Sequence, residues 1–386
     1  MTQAKTVLVL GGGVGGSVAA RRLRRMLAPE HRVVLVEREF AHVFEPSFLW
    51  LMVGKRDARQ ISRPMTALAK RGIELVQGAI DHIDPVKRVV RVGGRDLAGD
   101  YAVIALGADL APEAVPGLAQ AGHNFYSLSG AEALRDARRA VRAGRIVVLV
   151  SAMPFKCPGA PNEAAMLLEY DCRGRGVREQ TTLDLYTAEP GPMPVAGLAV
   201  SNALRQMMEA KGIGYHPNHA VTSVDADQRR ISFANGATAD FDLLAYVPPH
   251  RAPQVIRDAG MCGESGWVPV DRGTMATKFP GVFAIGDVTG IMLTSIGKPL
   301  PKAGVFANKQ AEVVAHNITR AITGKGEESR FTGDGECFLE TGDGRAAFGN
   351  GNFYADPAPQ IALKQPSVLL HLGKVAYEKF WLYRWS

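Results

Sequence analysis

Residues 6–16 read Thr6-Val7-Leu8-Val9-Leu10-Gly11-Gly12-Gly13-Val14-Gly15-Gly16, a largely apolar run that breaks into glycines. Such a run predicts a β-strand. Gly11, Gly13 and Gly16 then fall at the G-x-G-x-x-G spacing. That spacing permits a tight turn, close backbone approach to a pyrophosphate, and close packing of the next helix on the strand. The helix start adds N–H groups and partial positive charge for the phosphates. A second strand, Val33 to Val36, ends in Glu37, where an acid accepts from a ribose hydroxyl. Strand, glycines, helix, strand and acid in this order predict a domain that binds an adenine dinucleotide. They do not separate FAD from NAD.

Two later segments do. Tyr101 to Leu106 is an apolar strand closing in Gly107-Ala108-Asp109, and Val282 to Ile285 closes in Gly286-Asp287. The second resembles the G-D motif of flavoproteins with two dinucleotide-binding domains, whose aspartate holds the ribityl chain of FAD. The first resembles the A-T-G turn of the same proteins, with Leu106 in the usual threonine place. Beyond them Lys302, Ala303 and Gly304 open a helix pattern through Gln310, Val313 and Val314 to Ile318. N–H groups at such a start, with Lys302, would stabilise negative charge on a reduced flavin. A merely solvated N-terminal lysine is the competing reading.

A second Rossmann-like unit is expected around the strands Arg145 to Val150 and Leu183 to Thr187. The turn after the first of these runs Ser151-Ala152-Met153-Pro154-Phe155-Lys156-Cys157-Pro158-Gly159-Ala160-Pro161. Bulky side chains and three prolines deny a pyrophosphate the close backbone approach it needs, so a nicotinamide donor is not expected.

The chain has 386 residues, enough for two or three packed units, with 46% hydrophobic and 22% charged residues and a formal net charge of +7. Arg21, Arg22, Arg24 and Arg25 cluster on one helix with Ala20, Leu23 and Leu27 as its apolar positions, which reads as a solvated face and disfavours nucleic acid. No apolar run approaches the ~20 residues of a membrane-crossing helix. Met1 leads directly into the first strand without the pattern of a cleavable leader, so synthesis and folding in the cytoplasm are expected. The cysteines at 157, 172, 262 and 337 have no zinc-like or thioredoxin-like spacing, and no metal site is expected. Burial as unreactive thiols is the expected state of Cys172 and Cys262.

Across nearly its whole length the sequence resembles the sulfide:quinone oxidoreductase family and the related flavoprotein subunit of flavocytochrome c sulfide dehydrogenase. The resemblance rests on the Gly11 loop, on Phe44-Glu45-Pro46-Ser47 with Trp50 and Gly54, on Cys157-Pro158-Gly159-Ala160-Pro161-Asn162-Glu163, on Gly286-Asp287, and on Pro301-Lys302-Ala303-Gly304. Cys337 ahead of Gly342 and His371-Leu372-Gly373-Lys374-Val375-Ala376-Tyr377-Glu378-Lys379 complete it.

The resemblance implies an α/β fold of two Rossmann-like domains of the disulfide-reductase type with a small C-terminal α+β region. Residues 1–112 and 266–325 would form a discontinuous FAD domain, 113–265 the second domain, and 326–386 a region facing quinone and membrane. FAD would lie against Gly11, Gly13, Gly16, Glu37, Gly107, Gly286, Asp287, Lys302 and Gly304. Cys337 would be the flavin-adjacent sulfur and Cys157 the carrier of sulfane sulfur, because hydrosulfide must attack one sulfur while the other leaves as thiolate. Glu163 matches a carboxylate that moves protons, though an acid at a helix start also suits the macrodipole alone. Phe338 and Tyr377 would flank the quinone.

Three departures stand out. No cysteine occurs at Asn124 to Ser129, where many members carry a third, and none lies near Phe44, where the flavocytochrome subunit fixes its flavin. The chain also ends at Ser386, where many membrane-bound members continue. Aromatic and basic residues from Val368 to Trp385 suit a lipid boundary, giving peripheral membrane attachment; a terminal helix packed on the body is the alternative. The expected partners are sulfide or a related sulfur donor, and quinone. The oligomeric state stays open, a homo-oligomer included. Delivery of electrons to a cytochrome c, and a flavin redox sensor or assembly factor without turnover, are the competing functions.

Overall fold

Val7, Leu8, Val9 and Leu10 are each 0% exposed, and burying such a side chain contributes roughly 1.5–3 kcal/mol. The computed structural model describes residues 3–384; Trp385, counted above among the C-terminal aromatic residues, lies outside them, as do Met1, Thr2 and Ser386.

The strand and glycine run become β1 (Thr6–Leu10) and α1 (Val14–Met26), followed by β2 (Arg32–Glu37), α2 (Phe48–Met52), β3 (Glu74–Gln77) and β4 (Tyr101–Ile104). Next come β5 (His123–Asn124), β6 (Gly144–Val150), α3 (Ala160–Gly174), β7 (Thr181–Thr187), β8 (Ile213–His216) and β9 (Leu243–Val247). The chain closes with β10 (Val282–Ala284), α4 (Gly304–Thr323), β11 (Asp334–Gly342), β12 (Arg345–Asn352), β13 (Gln360–Ser367) and α5 (Val368–Tyr383).

Two parallel sheets form the body, ordered β10-β4-β1-β2-β3 and β5-β9-β6-β7-β8. In the first sheet β10 returns from far along the chain to pair with β4, so the first unit is discontinuous in sequence. The third sheet, β11-β12-β13, is antiparallel, and α5 packs against it. In each parallel sheet a central strand has parallel neighbours on both sides, which is why β1 and β6 read as unbroken apolar runs.

Two details depart from the sequence reading. β4 ends at Ile104, not Leu106, because Gly107 turns at φ +66° and the chain peels away to border a groove. The arginines of α1 are also more than a solvated face. The Arg24 guanidinium donates to the carbonyls of Leu27, Ala28 and His31, closing the helix end, and Arg22 pairs with Glu312 on α4.

Candidate active site

Gly11, Gly13, Glu37, Gly107, Gly286, Asp287 and Gly304 border one groove of about 440 Å³ at the carboxyl ends of the first sheet's strands. Gly11 sits at φ +99°, and a Cβ there would lie 2.5 Å from the Ala105 carbonyl oxygen. Gly16 does not border the groove; a Cβ there would lie 1.8 Å from the Gly11 oxygen, so its part is to let α1 pack on β1. At Gly13 and Gly107 a Cβ would meet nothing within 4 Å, which leaves the backbone bare toward the groove. The Glu37 carboxylate accepts from the Gly12 N–H and, at 2.9 Å, from the Glu39 N–H.

Asp287 supplies the test of fit for FAD. Its Oδ1 is buried without a hydrogen-bond partner among the described residues, and burial raises its carboxyl above the ordinary value. A desolvated acceptor without a donor is destabilising, and ribityl hydroxyls are the donors such a position suits. Lys302, by contrast, stands beside a small recess behind Gly286 and Asp287. Its Nζ donates to the carbonyls of Asp287 (2.7 Å) and Thr289 (3.0 Å) and lies 3.4 Å from the Trp267 ring centroid, and burial lowers it to about 8.

Cys157 borders the same groove, in the turn between β6 and α3 and at φ +52°. Its N–H donates to the Lys302 carbonyl at 2.6 Å and its carbonyl accepts from the Tyr126 hydroxyl at 3.2 Å. Cys337 lies on β11. The two sulfurs are unbonded, yet close enough that negative charge on Cys337 raises the Cys157 thiol, after burial as the larger cause. Part of the Cys337 residue reaches the surface, but desolvation of its thiol, with Glu163 next, pushes it up to about 12. Lys374 opposes both shifts.

Glu163, in the first turn of α3, is 2% exposed. Its Oε2 accepts from Lys374 Nζ at 2.6 Å and from the Glu340 N–H at 2.7 Å. Burial alone would lower the Lys374 ammonium, but Glu163 and Glu340 outweigh it and raise it. Glu340 in turn holds His371 Nδ1 at 3.0 Å. The site thus takes Cys157 and Glu163 from the second unit, Cys337 and Glu340 from the third sheet, and Lys374 and His371 from α5.

The sequence pattern of the pyridine nucleotide-disulphide oxidoreductases matches residues 5–310. The chain belongs to this family. Among individual proteins it is similar to the sulfide-quinone reductase of Aquifex aeolicus, with 28% identity covering 99% of this chain and 91% of the relative. It is also 29% identical to the mitochondrial sulfide:quinone oxidoreductase of Mus musculus over 74% of this chain and 66% of the relative. The crystal structure of the Aquifex aeolicus sulfide:quinone oxidoreductase superposes with a TM-score of 0.90 at 26% identity, covering 99% of this chain and 91% of that one. Like other oxidoreductases of this kind, the chain is a flavoprotein, and FAD is its cofactor.

Within this oxidoreductase, the Phe338 ring lies 4.9 Å from that of Phe348, tilted by 57°, and packs against Gly373, while Tyr377, one helical turn later on α5, is 6.0 Å from Phe44. Both therefore border the same stretch of α5. Sequence reasoning missed several neighbours. Lys156 reaches Glu45 at 2.7 Å beside the groove, and His42 joins Trp381 Nε1 (2.9 Å) to the Gly12 carbonyl (3.3 Å). Lys374, expected among the basic residues at a lipid boundary, is instead buried against Glu163, while the motif reading gave His371 no role and did not include Glu340. The one local signal was a lysine amid the apolar residues of α5. Among the described residues no group of His, Cys, Asp and Glu is arranged to hold a metal ion, and no helix is long and apolar enough to cross a membrane.

Proposed function

We propose that this flavoprotein oxidises sulfide to sulfane sulfur at Cys157 and Cys337 and passes the electrons through FAD to a quinone. The observation that carries the proposal is the two-thiol centre at the flavin groove, with one carboxylate and one ammonium buried against it. The likeness to sulfide:quinone oxidoreductases supports the same reading. Residues 1–112 with 266–325 serve as the FAD domain, 113–265 as the second domain, and 326–386 as the region facing quinone and membrane.

In the oxidised enzyme the two cysteines are joined. Hydrosulfide attacks the Cys157 sulfur, the bond to Cys337 breaks, and Cys337 leaves as thiolate. Lys374 stabilises that thiolate and so makes it the better leaving group. Cys337 then closes on the Cys157 persulfide to give a bridge longer by one sulfur, releasing one proton and two electrons. Glu163 is positioned to take the proton, with Lys374, Glu340 and His371 leading from it toward the partly exposed imidazole. When bound, FAD would supply a two-electron acceptor. Asp287 and the Gly11 turn hold that cofactor, and Phe338 and Tyr377 flank the quinone ring.

The quinone is membrane-soluble, and α5 presents Leu369 (78% exposed), Leu372 (55%), Phe380 (57%) and Tyr383 (75%) along one side, at positions i, i+3, i+11 and i+14. This stripe, with Lys379 and Arg384 beside it, seats the protein peripherally on a bilayer.

Anaerobic spectroscopy tests the proposal. Sulfide should bleach the visible flavin band and decylubiquinone should restore it, with NADH inert; bleaching by NADH and not by sulfide overturns the assignment. Cys337→Ser should keep FAD bound and lose reduction by sulfide at least a hundredfold. Wild-type rates in that variant would remove the thiol mechanism.

A further inference from the structure

One ion pair joins two parts of the chain at the flavin groove. Lys156, the residue before Cys157 in the turn between β6 and α3, donates from Nζ to the Glu45 carboxylate at 2.7 Å, and both residues border the groove. Glu45 opens the short helical turn Glu45–Ser47 ahead of α2. The backbone fixes the lysine in place. Lys156 bridges to Lys302 in parallel register, and the Cys157 N–H donates to the Lys302 carbonyl at 2.6 Å. The partners differ in exposure, the Lys156 side chain being 16% exposed and that of Glu45 52%. Water therefore screens the carboxylate more than the ammonium, and the field of the pair inside the groove is positive. Burial alone would lower the Lys156 ammonium, but Glu45 and Asp287 outweigh it and raise it, so the charge persists.

The other candidate cations are engaged elsewhere. Lys302, expected from the sequence to meet a reduced flavin, is held behind the groove by the Asp287 and Thr289 carbonyls and the Trp267 ring. Arg38 borders the groove beside Glu37, at the end where the sequence pattern puts a ribose, and pairs with Glu39.

We propose that Lys156 is the cation that faces the ring system of the bound flavin and raises its electron affinity, and that Glu45 tempers it. The inference needs FAD but no particular sulfur donor. With the ribose at Glu37 and the ribityl chain at Asp287, the Cys157 end of the groove is left for the ring. Electrons entering that ring bring negative charge into a desolvated site, where a fixed ammonium stabilises it more than it would in water.

The test uses the FAD-loaded Cys337→Ser protein, in which no bridge to Cys157 can form and only the flavin titrates. Sulfite, which adds to electron-poor oxidised flavins and bleaches their visible band, is the probe; the midpoint potential against a reference dye is the second reading. Adding Lys156→Met should weaken sulfite binding by about tenfold or more and make the potential more negative. Lys156→Arg, which keeps the charge, should stay within about threefold of its parent, and Glu45→Gln should bind sulfite about threefold more tightly or better, because the ammonium loses its counter-charge. Lys156→Met binding sulfite as its parent does overturns the proposal, and the same fall in Lys302→Met instead returns the role to Lys302. Should Lys156→Met release FAD, Glu45→Gln decides: an affinity no higher than the parent's overturns the assignment equally.

Discussion

Replacing Lys374 by methionine keeps its length and removes its charge. The ammonium lowers both thiols, so its loss leaves burial and Glu163 unopposed and drives Cys157 and Cys337 further from the thiolate. Reduction of the flavin by sulfide should slow by about tenfold or more, because a less stable thiolate leaves more slowly. Alkylation of the reduced enzyme by iodoacetamide should need a higher pH. The same change leaves Glu163 buried without its cation, and breaking a buried pair costs about 3–5 kcal/mol, so the melting temperature should fall as well. Lys374→Arg, restoring charge, separates the two effects: an unchanged alkylation profile in Lys374→Met would show that the ammonium does not govern the thiols. None of this was legible in the sequence. The pair bridges 211 positions, and no local pattern announces a partner at that distance.

Beyond Lys374 and His371, two further residues of α5 make polar contacts with the body. Glu378, fully buried, accepts from Arg56 at 2.9 Å and from the Ser47 hydroxyl at 2.6 Å, and Trp381 donates to His42. Arg56→Met should lower the melting temperature, with a loss of about 3–5 kcal/mol, and should expose the C-terminal segment to limited proteolysis. His42 adds a pH dependence. Burial lowers it from the ordinary 6.5 to about 4, so the unfolded chain takes up a proton that the folded one refuses. The stability this gives is complete above 6.5 and is lost as pH falls toward 4. His42→Gln should flatten the melting temperature across that window; a curve as steep as wild type would assign the acid sensitivity elsewhere. At this scale much could be read in advance. β1, β6 and α1 announced themselves through apolar period and glycine spacing, whereas the contact of His42 with Trp381 had no local sign.

Over the whole molecule, α5 packs on the third sheet and buries Trp381 and Leu382, while its other side exposes Leu369, Leu372, Phe380 and Tyr383, and the proposed membrane seat is tested on that exposed side. Leu369→Glu with Leu372→Glu should cut co-sedimentation with phospholipid vesicles while leaving flavin bleaching by sulfide intact, since both side chains are largely exposed. Equal sedimentation of both proteins would show that α5 is not the seat. The FAD cradle was legible because phosphate and ribityl binding demand fixed local turns, at Gly11 and at Gly286-Asp287. The environment of the thiols was not, because it is made where three units meet. That meeting also bears on biosynthesis. Cys337, Glu340, His371 and Lys374 leave the ribosome after every strand of both parallel sheets has been made. A nascent chain can therefore complete its nucleotide cradle early and stay chemically silent, with Glu163 waiting for its counter-ion. On the proposed mechanism, the two-thiol centre is complete only when the segment from Cys337 to Lys374 folds onto the body.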